Sequence, residues 1–217
     1  MLTKDYIMRM IDTLVKVIER VLHLKEIEDF NGALDEIDKV TKELFGFDRN
    51  FINNLSDAQL VKMVSASEVL IAPNCYLLGA LFKEEAEIFR LQNQEDTSIE
   101  LYERALNLFV EGLRNSTAEI EEGHLNKIKG VVDILENESV TIDTEESLFF
   151  YYEFTGAYDK AENLIYDLIE YDNKYIENGI SFCERLLKKD DNELINGNLP
   201  REEIAESLLS LRNKRNS

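Results

Sequence analysis

The chain has 217 residues, enough to bury a substantial core in one large or two small domains. Forty-four acidic against twenty-four basic residues leave a formal charge of −20, a field that repels nucleic acid and anionic membrane surfaces and favours basic or cationic partners. With only two prolines and nine glycines, and apolar residues recurring at helical spacing, the expected class is all-α.

The first predicted helix runs from Thr3 to Leu24. Its apolar residues, among them Ile7, Met10, Ile11, Leu14, Val15, Val17, Ile18, Val21 and Leu22, cover more than one stripe. Either the helix is buried on several sides, or Ile7, Ile11 and Val15 form a face for a homodimer or a docked partner. Asp5, Arg9 and Asp12 interrupt the run and argue against a secretory leader; with Lys16, Glu19 and Arg20 they rule out a membrane span. A second helix is expected over Asp29–Phe45, with Ala33, Leu34, Ile37, Val40, Leu44 and Phe45 inward and Gly46 ending it. Residues 47–55 read as an irregular connector, and Ser56-Asp57 as the cap of a short helix to Val64. Pro73 is expected to break the next segment, with a helix resuming over Cys75–Leu91. Asn93–Asp96 reads as a turn and Thr97 as the cap of a helix to Leu113. Ser116 or Thr117 then caps another helix to Leu135, and residues 136–146 form a polar connector.

Ser147–Tyr171 is the clearest local unit, a helical hairpin joined at Thr155-Gly156. Leu148, Phe149 and Tyr152 share one face of its first helix, and Tyr158, Ala161, Leu164, Ile165 and Leu168 one face of its second. Gly156 suits a left-handed helix end, and Ala161 is small enough for close helix packing. Further helices are expected near Tyr175–Lys188 and Pro200–Arg212, the proline suiting a first helical turn. The whole reads as a single helical domain over residues 1–213 with a frayed tail at 214–217.

The hairpin's order of residues resembles a tetratricopeptide (TPR) repeat: Leu148, Tyr152, Tyr158, Ala161 and Ile165 fall on the pattern's apolar or small positions, with Gly156 at the turn. Phe149 departs from it where glycine or alanine is usual. Similar matches are Phe82, Ala86, Phe89, Ser98, Tyr102 and Ala105, and more weakly Val17, Val21, Leu24, Phe30, Ala33 and Ile37. Ala33, Ser98 and Ala161 lie 65 and 63 residues apart, near two repeat lengths, so a degenerate unit is expected between each pair. The opening segment Asp5–Ile11 and the stretch EDFNGALDEIDKVTKELFG resemble the start of an uncharacterised bacterial family of TPR-like helical proteins of unknown function. That resemblance implies an irregular TPR-like stack of antiparallel hairpins in the cytoplasm, and brings no activity.

Chemistry-bearing patterns are sparse. Glu121 and His124 have the Glu-x-x-His spacing of di-iron bundles, but such sites need two pairs and further glutamates. Cys75 and Cys183 read as separate buried thiols, and Asp48-Arg49-Asn50 fails as a calcium loop because Ile52 and Asn53 stand where an oxygen ligand and a glycine belong. No phosphate loop or nucleophile motif occurs, so neither catalysis nor a cofactor or metal is expected. By the TPR resemblance, Lys83, Glu87 and Arg90 in one unit and Phe150, Glu153 and Phe154 in another line a groove for a protein or peptide, suited to a basic amphipathic segment. The alternatives are a structural protein dimerising through its first helix, and a small-ligand binder or enzyme with an interhelical pocket.

Overall fold

The computed structural model describes residues 2–64, 68–117, 120 and 122–216. Among these are twelve α-helices, one 3-10 turn and no strand. The chain divides into two compact units, Met1–Ser139 and Val140–Ser217.

The first unit contains α1 (Leu2–Glu26), α2 (Phe30–Phe45), α3 (Arg49–Asn53), α4 (Asp57–Val64), α5 (Glu68–Leu91), α6 (Glu95–Arg114) and α7 (Glu122–Leu135). Helices α1 and α2 form one hairpin and α5 and α6 another; α5 packs on both α1 and α2, and α7 lies on α6. Helix α6 is the core element, with Tyr102, Ala105, Leu106, Leu108 and Val110 fully buried. In the second unit α8 (Ile142–Thr155) pairs with α9 (Tyr158–Tyr171). A 3-10 turn (Asn173–Tyr175) leads to α10 (Ile176–Leu186), and α11 (Asp191–Asn196) precedes α12 (Arg201–Arg215), which pairs with α10.

Three hairpins share one turn. Each has a single left-handed residue, Glu28 (φ 59°), Asn93 (φ 59°) or Gly156 (φ 83°). The amide of the next residue donates back to the carbonyl five positions earlier: Asp29 to Leu24, Gln94 to Phe89 and Ala157 to Tyr152, each at 2.9 Å. This satisfies a carbonyl that the helix end would leave unpaired. The fourth residue of each second helix is then Ala33, Ser98 or Ala161, and all three are at most 1% exposed. Their small side chains let the two helices approach, and in the middle hairpin Ser98 Oγ donates to the Ala86 carbonyl at 2.9 Å. The long intervals between these positions hold α3 and α4 in one case and α7 in the other, among the described residues, rather than a complete degenerate hairpin.

Several element boundaries differ from the sequence reading. Residues 49–53 are helical because Asp48 caps them, its carboxylate accepting from the Phe51 amide at 2.7 Å. Pro73 does not break α5: it lies near the start of the described helix, and the one backbone bond it forfeits is to the carbonyl of Val69, an exposed residue. Thr97 is inside α6 and Gln94 occupies the cap position. Helix α7 starts at Glu122, so neither Ser116 nor Thr117 caps it. Helix α8 starts at Ile142, with Thr144 and Ser147 buried, because the polar run carries its own helix-compatible face. Helix α11 has no long apolar stripe to betray it and is set by the Asp190 cap. Pro200 is an extended N-cap, and α12 runs through Asn213 to Arg215.

Candidate interaction surface

Helix α1 carries two apolar stripes. Met10, Leu14, Val17 and Val21 are at most 6% exposed and face the core. The other stripe, Met8, Ile11, Val15, Ile18 and Leu22, advances by alternating steps of three and four, the spacing of a coiled-coil seam. Met8 is 50% exposed, Ile11 36%, Val15 49% and Leu22 44%, while Ile18 and Ile7 are half-buried. Of the three residues expected to form an association face, Ile11 and Val15 lie on this outer stripe, whereas Ile7 continues the core stripe three positions before Met10. Burial on several sides does not hold for α1. Covering four half-exposed aliphatic side chains is worth about 1 kcal/mol each before the costs of association.

The flanks of the stripe are charged. Asp12, Glu19 and Glu26 each follow a stripe residue by four positions and so adjoin it on the helix surface. All three are exposed. Arg20, further round, pairs with Glu36 of α2 at 2.8 Å.

At the end of the stripe, Lys25 pairs with Glu84 and with Glu87 of α5, both at 2.6 Å, and Lys83 pairs with the same two glutamates. The Lys25 and Glu84 side chains are each 8% exposed. Burial pushes Glu87 up, but hydrogen bonds from Lys25 and Lys83 outweigh it and hold the carboxyl below its ordinary value. Burial likewise opposes the Lys83 ammonium, and the charges of Glu84 and Glu87 win, raising it. Thus Lys83 and Glu87, two of the expected groove positions, are tied into a lock between α1 and α5. The third, Arg90, is exposed.

A second buried polar clamp holds α3 and α4. Arg104 of α6 donates to Asp57 at 3.0 Å and to the carbonyls of Asn53, Ile52 and Leu55 at 3.1, 3.3 and 2.7 Å, with its guanidinium 4.3 Å from the Phe82 ring centre. Glu85 beside it accepts from Arg49 at 3.0 Å and Asn53 at 3.1 Å. Burial raises the Glu85 carboxyl despite Arg49. The space there, between Ile37, Ile52, Phe82 and Glu85, is about 10 Å³.

In the second unit, Glu153 is engaged by Arg185 of α10 through two bonds of 2.6 and 2.7 Å. Phe149 packs edge-on against Phe182. Phe150 is half-buried and stacks on Phe154, which is 46% exposed. The structure therefore leaves Phe154, and not Glu153, free to meet another molecule.

His124 stacks on Tyr76 with ring centres 4.8 Å apart; Glu121 lies outside the described residues. Cys75 and Cys183 are buried free thiols, raised to about 12 and about 11 chiefly by burial. Among the described residues no group of three or more His, Cys, Asp or Glu is placed to hold a metal ion, and no helix is long and apolar enough to cross a membrane. A family model, DUF6483, described as a family of unknown function, matches residues 1–216. The chain belongs to DUF6483. No curated protein and no solved structure matches it. For this DUF6483 chain, α1 is thus the element whose apolar residues most exceed what its own unit covers. Sequence patterning located two of those residues, Ile11 and Val15. The 3-4 spacing that also picks out Met8, Ile18 and Leu22 was available in the same stretch.

Proposed function

We propose that the chain is a non-catalytic, TPR-like protein-interaction module of the cytoplasm, and that the outer stripe of α1 is where a partner helix docks. One observation carries this: Met8, Ile11, Val15 and Leu22 form a regularly spaced apolar seam that remains between about a third and a half exposed. The shared turn of three hairpins, and the packing of α5 on both α1 and α2, support the TPR-like reading of the repeated unit. An interhelical catalytic pocket has less to recommend it. The space beside Glu85 is far below substrate size, and the groove between α1 and α2 is open and lined by paired charges such as Arg20 and Glu36.

The test compares wild type with Ile11→Asp/Val15→Asp as bait in native extract, after circular dichroism has established equal helix content. Both sites are exposed, so the fold should survive. A defined partner retained by wild type and lost by the variant supports docking on α1. Equal retention by both, or by Phe154→Ala alone failing, moves the surface elsewhere.

A further inference from the structure

We propose that the occupant of the α1 seam is a basic amphipathic helix of a partner protein, its apolar residues spaced by three and four and the flank beside them lined with lysine or arginine. This rests on the reading of α1 as a docking surface. The seam fixes the shape of the occupant, since steps of three and four keep two helices in register over several turns. The acidic row fixes its charge. Asp12, Glu19 and Glu26 recur every seven residues, each beside Met8, Val15 or Leu22, where the flanking residues of a docked helix would lie. The long-range field agrees, because a chain of formal charge −20 attracts basic segments and speeds their encounter.

A second copy of this chain fits less well. Laid antiparallel, two such helices set acidic row against acidic row. Laid parallel, each acidic row meets the side bearing Ile7, Leu14 and Val21, of which Leu14 and Val21 are 6% and 1% exposed and already belong to the core. Either pairing also joins two strongly acidic chains.

The test uses two fluorescent synthetic helices of about three heptads with identical apolar seams, one flanked by lysine and one by glutamate, titrated with the full chain and read by anisotropy. The lysine helix should bind about tenfold or more tighter at low salt, with the gap closing as ionic strength rises. Asp12→Lys/Glu19→Lys/Glu26→Lys should reverse the preference. The same charge change at exposed positions of α9 and α12, Glu170→Lys/Glu202→Lys/Glu206→Lys, should leave it in place. Equal binding of both helices by wild type, lost in Ile11→Asp/Val15→Asp, overturns the basic partner while leaving the docking reading intact. Equal weakening by the α1 charge change and by that on α9 and α12 overturns it too, as general attraction to an acidic chain. If neither helix binds and light scattering finds a dimer that Ile11→Asp/Val15→Asp dissolves, the occupant is a second copy. If neither binds and the chain is monomeric, inference and docking reading fall together.

Discussion

Arg104 offers the sharpest test of how the first unit is held together. Its side chain is 11% exposed and supplies donors to Asp57 and to three carbonyls of the segment 52–55. Arg104→Met keeps an apolar stem of similar length and removes every donor together with the guanidinium over the Phe82 ring. The three carbonyls then lose a partner at about 1 kcal/mol each. Asp57 loses its cation but keeps the Asn107 amide at 3.0 Å and is 24% exposed, so its share is discounted for water. The sum is about 3–4 kcal/mol, within the range for breaking a buried charged network. Urea unfolding measures the total, and hydrogen exchange over residues 49–64 shows whether α3 and α4 are the parts released. Arg104→Lys should recover little, because one ammonium cannot reach four acceptors held by a planar fork. A loss below about 1 kcal/mol, or unchanged protection of 49–64, would refute the clamp.

Two glycines should respond with opposite signs. A Cβ at Gly197 would lie 2.2 Å from Tyr158 Cδ2 and 2.6 Å from the Gly156 carbonyl oxygen, so Gly197→Ala should destabilise the second unit by about 2–3 kcal/mol in thermal unfolding. Gly130 in α7 has open space around it, and Gly130→Ala should stabilise by about 0.5–1 kcal/mol. The neighbouring carboxylates Glu85 and Glu87 should leave opposite pH signatures. Glu87 is held below the ordinary carboxyl value of 4.5, so its contribution is present above that value and lost as acid protonates the folded form; Glu87→Gln should flatten that acid limb. Glu85 is raised above 4.5, so the native state holds its proton longer than the unfolded chain and loses stability as pH climbs through the window above 4.5. Relative to wild type, Glu85→Gln should gain over that same climb, read from urea midpoints across pH.

Much of the fold was legible because local rules and packing agree in the hairpins. Gly156 announces its turn, and Ala33, Ser98 and Ala161 mark close helix contacts by size alone. The turn at Asn93 was legible too, asparagine being at ease in the left-handed region, whereas Glu28 leaves little trace in composition. Helices α3 and α11 were missed for another reason. They are one or two turns long, fixed by the Asp48 and Asp190 caps, and too short for periodicity to register. Pro73 misled because a proline's cost depends on where in a helix it falls. At the surface, Ile11 and Val15 were readable from an excess of apolar residues over one stripe. Glu87 and Glu153 were not readable as cross-helix partners, because Lys25 and Arg185 are distant in sequence and a charge on a helical face gives no sign of which distant helix will meet it; the Lys83 pairings with Glu84 and Glu87 lie within one helix.

Methyl-resolved NMR of the full chain, titrated with the lysine-flanked helix, bears most directly on the seam. Shifts or broadening should concentrate on the methyls of Met8, Ile11, Val15 and Leu22, while those of Leu14, Val17 and Val21 on the core side hold still. Unmoved outer methyls under saturating helix, or changes centred on other residues, would contradict the assignment of α1 as the docking element.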